Sequence, residues 1–204
     1  MSNLNIYVFD FDCTITYRNF AYFWLKPDEI FKQKYANIKP TIIDELSFKF
    51  NNNMLVDISD INLFNDIIFG SDERIVYLDR LFNNLSHKGR LVISSRGDPN
   101  KIFKCLQYNS LSKYFTQDNI FGYKHNKTNL IKEFLNNNSK VFYIDDNHEE
   151  HNELLKNLNL ITTTDNLSIY SYKSDKPNYI FCHSLKYESN GISNQLINRI
   201  IKNI

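Results

Sequence analysis

Residues 8–16 read VFDFDCTIT, which sets Asp10 and Asp12 one residue apart directly behind the apolar run of residues 6–9. Two carboxylates at the mouth of a buried strand repel one another, and burial adds to the cost. A hard cation removes that cost, and Mg²⁺ suits a few carboxylates plus water and a phosphate oxygen. A carboxylate can also attack phosphorus to give an aspartyl-phosphate, while a second one protonates the leaving oxygen and then activates water. The bland alternative is a pair of solvated loop carboxylates. Matching groups at other strand ends would separate the two.

Such groups are present. Residues 90–95, RLVISS, form an apolar run ending in Ser94 and Ser95, and residues 140–146, KVFYIDD, form another ending in Asp145 and Asp146. Between them YKHNK carries Lys124 and Lys127 just ahead of a helical pattern over 128–135. A hydroxyl and an ammonium facing a metal-bound phosphoryl group would hold its remaining oxygens. For Asp146 the alternative to metal duty is to cap the helix that follows.

The elements that must position these residues are legible. Residues 4–9, 90–95 and 140–146 are short, β-rich runs that read as buried strands. Ser71 caps a helix whose apolar face is Ile75, Leu78, Phe82 and Leu85, with Gly89 as its end. Asp98-Pro99 starts a second helix, with Ile102, Phe103 and Leu106 facing inward. Further helices are expected over 149–158 and 193–204, and a short strand near 160–162. Alternating strands and helices predict an α/β fold, a parallel sheet with helices on both faces. In such sheets ligands bind outside the carboxyl ends of the strands, where all the polar groups above would converge. Residues 17–70 interrupt the alternation. They contain the aromatic cluster Tyr17 to Trp24, helical patterns after Pro27 and Thr41, and a stretch over 54–70 open to helix or irregular structure. They read as a mostly helical insert, so that 1–16 and 71–204 form the core domain and 17–70 a cap.

DFDCTIT resembles the first motif, DxDxT, of the haloacid dehalogenase (HAD) superfamily. LVISS resembles its second motif, Lys127 its third, and VFYIDD its fourth, in the family's order over residues 6–146. The resemblance implies a Rossmann-like core and a phosphatase using Mg²⁺. It makes Asp10 the nucleophile and a metal ligand, and Asp12 the general acid/base, with its carbonyl on the metal. Thr14 would support the loop, and Ser94, Lys127 and Thr14 would form the substrate-binding set. Asp145 would complete the metal site, with Asp146 as a further ligand or a group behind one. Ser95 and Lys124 are the neighbours that could take the roles of Ser94 and Lys127. Cys13 stands where glycine is common in the family. A helical insert between the first two motifs is similar to the C1 type of cap, which closes over small phosphorylated substrates. The competing readings are a phosphate- or metal-binding module on the same scaffold without turnover, and a phospho-accepting receiver domain. The latter's acidic pair does not follow its lysine.

Composition narrows the setting. The chain has 204 residues, 42% of them hydrophobic and 15% aromatic, enough for a sizeable core. A net charge of +1 gives no global pull toward nucleic acid or an anionic membrane. No apolar run approaches the roughly 18 residues of a membrane helix. Three scattered cysteines and no basic-then-apolar leader point to a cytoplasmic or other reducing compartment. His148 and His151 sit three apart on a helix start and read as solvated rather than as metal ligands. Arg96 divides evenly between the site and a surface ion pair.

Overall fold

Five parallel strands form one sheet in the order β3-β2-β1-β4-β5. They are β1 (Asn5–Phe9), β2 (Gly89–Ser94), β3 (Ile120–Phe121), β4 (Lys140–Ile144) and β5 (Leu167–Tyr170). The structure is a computed structural model that describes residues 5–17, 20, 40–54, 57–123, 125–136, 139–158, 167–170 and 191–203. β1 lies in the middle, with Phe9 opposite Ile93 of β2 on one side and Ile144 of β4 on the other. The chain builds outward from β1 through β2 to β3, then crosses back to β4. That reversal between β1 and β4 is the switch point, where diverging connections leave a crevice at the strand ends.

Side-chain alternation divides the strands between two faces. Tyr7, Phe9, Leu91, Ile93, Phe142 and Ile144 point to one, and Ile6, Val8, Val92, Val141 and Tyr143 to the other. The first face is covered by α3 (Asp72–Ser86), α4 (Pro99–Gln107) and α7 (Asn194–Asn203). The second is covered by α5 (Lys127–Asn136) and α6 (His148–Asn157). This is the α/β sheet with helices on both faces that the apolar strand runs predict. The caps form as expected: Ser71 Oγ accepts from Arg74 N at 3.2 Å, and Asp98 Oδ1 accepts from Asn100 N at 2.9 Å.

Gly89 does not end a helix; α3 stops at Ser86, and Gly89 is the first residue of β2. A Cβ there would lie 2.2 Å from the Asn5 carbonyl oxygen of the neighbouring strand. Backbone cannot give way as a flexible side chain does. Gly89→Ala is therefore expected to cost about 1–3 kcal/mol, read as a lower urea midpoint. A midpoint equal to wild type would mean that the strand entry is looser than drawn.

In the expected insert the described residues form α1 (Pro40–Asn51) and α2 (Ile58–Phe69). The ambiguous stretch is thus helical from Ile58, and Asp57 caps it by accepting from Asp60 N at 2.9 Å. Most of the aromatic cluster, residues 18, 19 and 21–24, lies outside the described residues, as do residues 160–162. Phe20 meets Phe50 and Phe64 edge-on, and those two stack on each other and meet Tyr108 edge-on at the end of α4, in the same apolar cluster as the first sheet face. Tyr17 N donates to Ile68 O at 2.7 Å, so these two residues near the ends of the expected insert lie side by side. Among the described residues no helix is long and apolar enough to cross a membrane.

Candidate active site

The sheet register brings the first and fourth segments together. Asp10 follows the last residue of β1 and Asp145 the last residue of β4, and Asp10 N donates to Ile144 O at 2.8 Å. Val8, Val92 and Tyr143 point to the α5/α6 face. Two residues further on, Asp10, Ser94 and Asp145 continue that alternation toward the same side. α5 starts on that side with Lys127, whose Nζ lies 2.7 Å from both Asp10 Oδ1 and Asp145 Oδ2. Asp146 completes the group: carboxylate oxygens of Asp10, Asp145 and Asp146 all lie within 4.8 Å of one another.

Three carboxylates against one ammonium leave an excess of two negative charges when all are ionised. Burial pushes the Asp10 carboxyl well above the usual carboxylate range; Lys127 opposes this, while Asp145, Asp146 and Asp12 add to it. Asp145 behaves oppositely. Burial works to raise it, but Lys127, His151 and hydrogen bonds from Lys127 and Tyr143 win and hold it below the usual range. Its Oδ1 also accepts from Asn147 N at 2.8 Å. For Lys127, burial pulls the ammonium down, but Asp10 and Asp145 outweigh it and lift it above the ordinary lysine value. The donor set is all oxygen, and the excess matches one divalent ion. These residues fit a hard cation held by carboxylates.

The loop after β1 is tight. Cys13 adopts φ 62°, the left-handed conformation that explains why glycine suits this position. Cys13 N donates to Thr16 Oγ1 at 3.1 Å, and Thr16 Oγ1 donates to Phe11 O at 3.1 Å. Thr14 is fully buried, and its hydroxyl lies 3.5 Å from Asp146 Oδ1. The Asp12 carboxylate is outside the three-carboxylate group and accepts a hydrogen bond from the Phe20 amide. Ser94 is buried at the end of β2, level with Asp10. Ser95 is also buried, accepts from Gly97 N at 3.1 Å, and lines an open cleft of about 560 Å³ with Arg96, Tyr123, His125, Lys127 and Glu150. Lys124 lies outside the described residues. Asp146 is not the helix cap, because Asn147 Oδ1 accepts from Glu149 N at 2.9 Å.

Several participants are not apparent from motif spacing. The Tyr143 hydroxyl donates to Asp145 Oδ2. His151, expected to be solvated, is 4% exposed; its Nε2 lies 3.2 Å from the Asp145 carbonyl oxygen and its ring packs on Tyr143. The signal was there: His151, Leu154 and Leu158 share one helical stripe, and Tyr143 is two residues from Asp145 on one strand face. Arg96 pairs with Glu150 at the cleft edge.

No family model and no curated protein matches this chain. One solved structure with a related backbone is a candidate haloacid dehalogenase-like hydrolase from Burkholderia xenovorans LB400. It has a TM-score of 0.39 and 13% identity, covering 81% of this chain and 82% of that one. So distant a likeness leaves the chemistry to be read from the site itself.

Proposed function

We propose that this chain is a Mg²⁺-dependent phosphohydrolase acting on small phosphate monoesters through an aspartyl-phosphate on Asp10. The chief support is the three-carboxylate group bridged by Lys127. The ordered resemblance of four segments to HAD motifs points the same way. Asp10, Asp145 and Asp146, with the Asp12 carbonyl, would hold Mg²⁺. When bound, the ion neutralises the carboxylate excess and polarises phosphoryl oxygens. Asp10 attacks phosphorus, and the leaving alcohol takes a proton from Asp12. Asp12 then removes a proton from water as that water displaces the phosphoryl group from Asp10, releasing phosphate and restoring the carboxylate. Ser94 donates a hydrogen bond to the phosphoryl group, while Lys127 balances charge on the phosphoryl group and on Asp10.

A second reading, a binding module without turnover, draws on one observation. The Asp12 carboxylate lies outside the three-carboxylate group and accepts from the Phe20 amide, whereas a general acid must reach the leaving oxygen at that group. Phosphate release from p-nitrophenyl phosphate and a panel of phosphorylated metabolites, with Mg²⁺ and with chelator, separates the two. Chelator-sensitive release supports the enzyme. Tight beryllofluoride binding without release from any substrate supports the module.

The metal reading carries a pH signature. A raised Asp10 carboxyl means that the metal-free fold loses stability as pH climbs from the usual carboxylate value toward the raised one. Mg²⁺ must displace that proton, so affinity should strengthen with pH over the same window, with proton uptake by buffer. Calorimetry in two buffers of unlike ionisation heat measures it. Affinity independent of pH, with no proton released, would mean that Asp10 is not a ligand of the ion.

A further inference from the structure

Arg74 lies in the first turn of α3, where a solvated side chain is the ordinary expectation, yet it is only 6% exposed. Its guanidinium donates to backbone carbonyls from three separate segments. Nη2 reaches Thr14 O at 3.0 Å, and Nη1 reaches Ile15 O at 2.7 Å, both in the loop that carries Asp12. Nη1 also reaches Phe69 O at 3.1 Å, at the end of α2 where helix carbonyls lack an intrahelical donor. Nε reaches Ile192 O at 3.3 Å, just ahead of α7. Ile192 N in turn donates to Thr14 O at 2.9 Å, so one carbonyl of the loop is held from two sides. Gly191 makes room for this: it has φ +62°, and a Cβ there would lie 2.2 Å from Arg74 Nη2 and 2.4 Å from Thr16 O. A rigid planar fork spreads five N–H donors over a fixed frame, which suits four carbonyls in different directions better than the three donors of an ammonium at a single point.

We propose that Arg74 is a positioning residue for the reactive loop: by fixing the Thr14 and Ile15 carbonyls it sets Asp12 relative to Asp10, and it makes the C-terminal segment at Gly191-Ile192 part of that setting. The proposal rests on the phosphohydrolase reading for its catalytic consequence, though not for its geometry. Asp10 is held independently, by β1 pairing and Lys127, so ground-state binding of the phosphoryl group stays intact when the fork is lost. Proton delivery by Asp12 does not.

The test compares Arg74→Lys, Gly191→Ala and Ile200→Ala, the last opening a cavity under α7 at a residue that makes none of the hydrogen bonds above. An alkyl phosphate needs its leaving oxygen protonated; p-nitrophenyl phosphate hardly does. Arg74→Lys and Gly191→Ala are expected to slow the first half-reaction, read as rapid-quench release of the alcohol in the first turnover, about 100-fold on the alkyl ester, with half-saturation unchanged and less than about a tenth of that loss on the aryl ester; hydrolysis of the aspartyl-phosphate, which also uses Asp12, slows equally for both. Ile200→Ala, matched in thermal stability loss, should keep both first-turnover rates per folded molecule. Equal losses in the first half-reaction on both esters, or an Arg74→Lys profile that follows Ile200→Ala, overturns the proposal. If Arg74→Lys does not fold, Gly191→Ala carries the comparison. Amide hydrogen exchange supplies a readout independent of turnover: Thr16 and Ile192 should exchange about 10-fold faster in Arg74→Lys while β1 and β4 are unchanged. An inactive wild type with that exchange pattern refutes the phosphohydrolase reading and leaves the positioning geometry standing; unchanged exchange refutes the positioning itself.

Discussion

Asp10→Asn is expected to remove turnover, lowering kcat by at least about 10⁴-fold, because an amide cannot form the aspartyl-phosphate. The same substitution should leave the fold intact or firmer. Asp10 is a buried carboxyl whose ionisation is opposed by burial and by three neighbouring aspartates and favoured by Lys127. An isosteric amide keeps an oxygen for the Lys127 ammonium and removes one of three crowded charges. The metal-free melting temperature should therefore rise or hold, while the increment that Mg²⁺ adds to wild type shrinks. Steady-state kinetics and paired thermal melts measure both. Phosphate release at wild-type rate in Asp10→Asn would end the case for this nucleophile.

Lys127→Met should be the most damaging single change to stability in the metal-free protein, at about 3–5 kcal/mol near neutral pH. It leaves two buried carboxylates, Asp10 and Asp145, without the ammonium that contacts both at 2.7 Å. The sign with pH follows from the shifts. Lys127 is lifted above its ordinary value, so its contribution is complete below the usual lysine pKa of about 10.4 and fades only as pH rises past it. Asp145 is held below its ordinary value, so its share of the pair is present above the usual carboxylate pKa and is lost as pH falls. The gap between wild type and Lys127→Met should thus be full at pH 7 and close in acid. Saturating Mg²⁺ should restore part of the stability and none of the activity. Urea melts at pH 7 and in acid test this; a gap under about 0.5 kcal/mol at pH 7 would mean that the contact is incidental.

Strand ends and helix starts are where the sequence speaks most directly, and the core of the site uses both. Asp10, Asp145 and Ser94 follow apolar runs whose period-2 alternation fixes their side, and Lys127 opens a helix with an apolar stripe. Other groups carry weaker signals. Arg74 shares a helical stripe with Leu78, Leu81 and Leu85, but a charged residue on an apolar stripe reads as a helix edge until its carbonyl partners are seen. α2 is signalled by the cap at Asp57, which the surrounding asparagine-rich stretch obscures. Gly89 serves two grammars, helix end and strand entry, and only the closeness of Asn5 decides between them. The partner of Asp12 is least readable of all, because the Phe20 amide comes from a segment whose path no local pattern dictates.

The level pairing of Phe9 with Ile144 has a consequence for how such a chain can change over time. Adding or deleting one residue within β1 or β4 would swing the terminal aspartate through the sheet to the apolar side, beneath α3 and α7. The connection ahead of β4 can drift in length, but the two strands must keep their residue count modulo two, and the loops that follow them carry the site. Strand length is locked by chemistry before it is locked by stability.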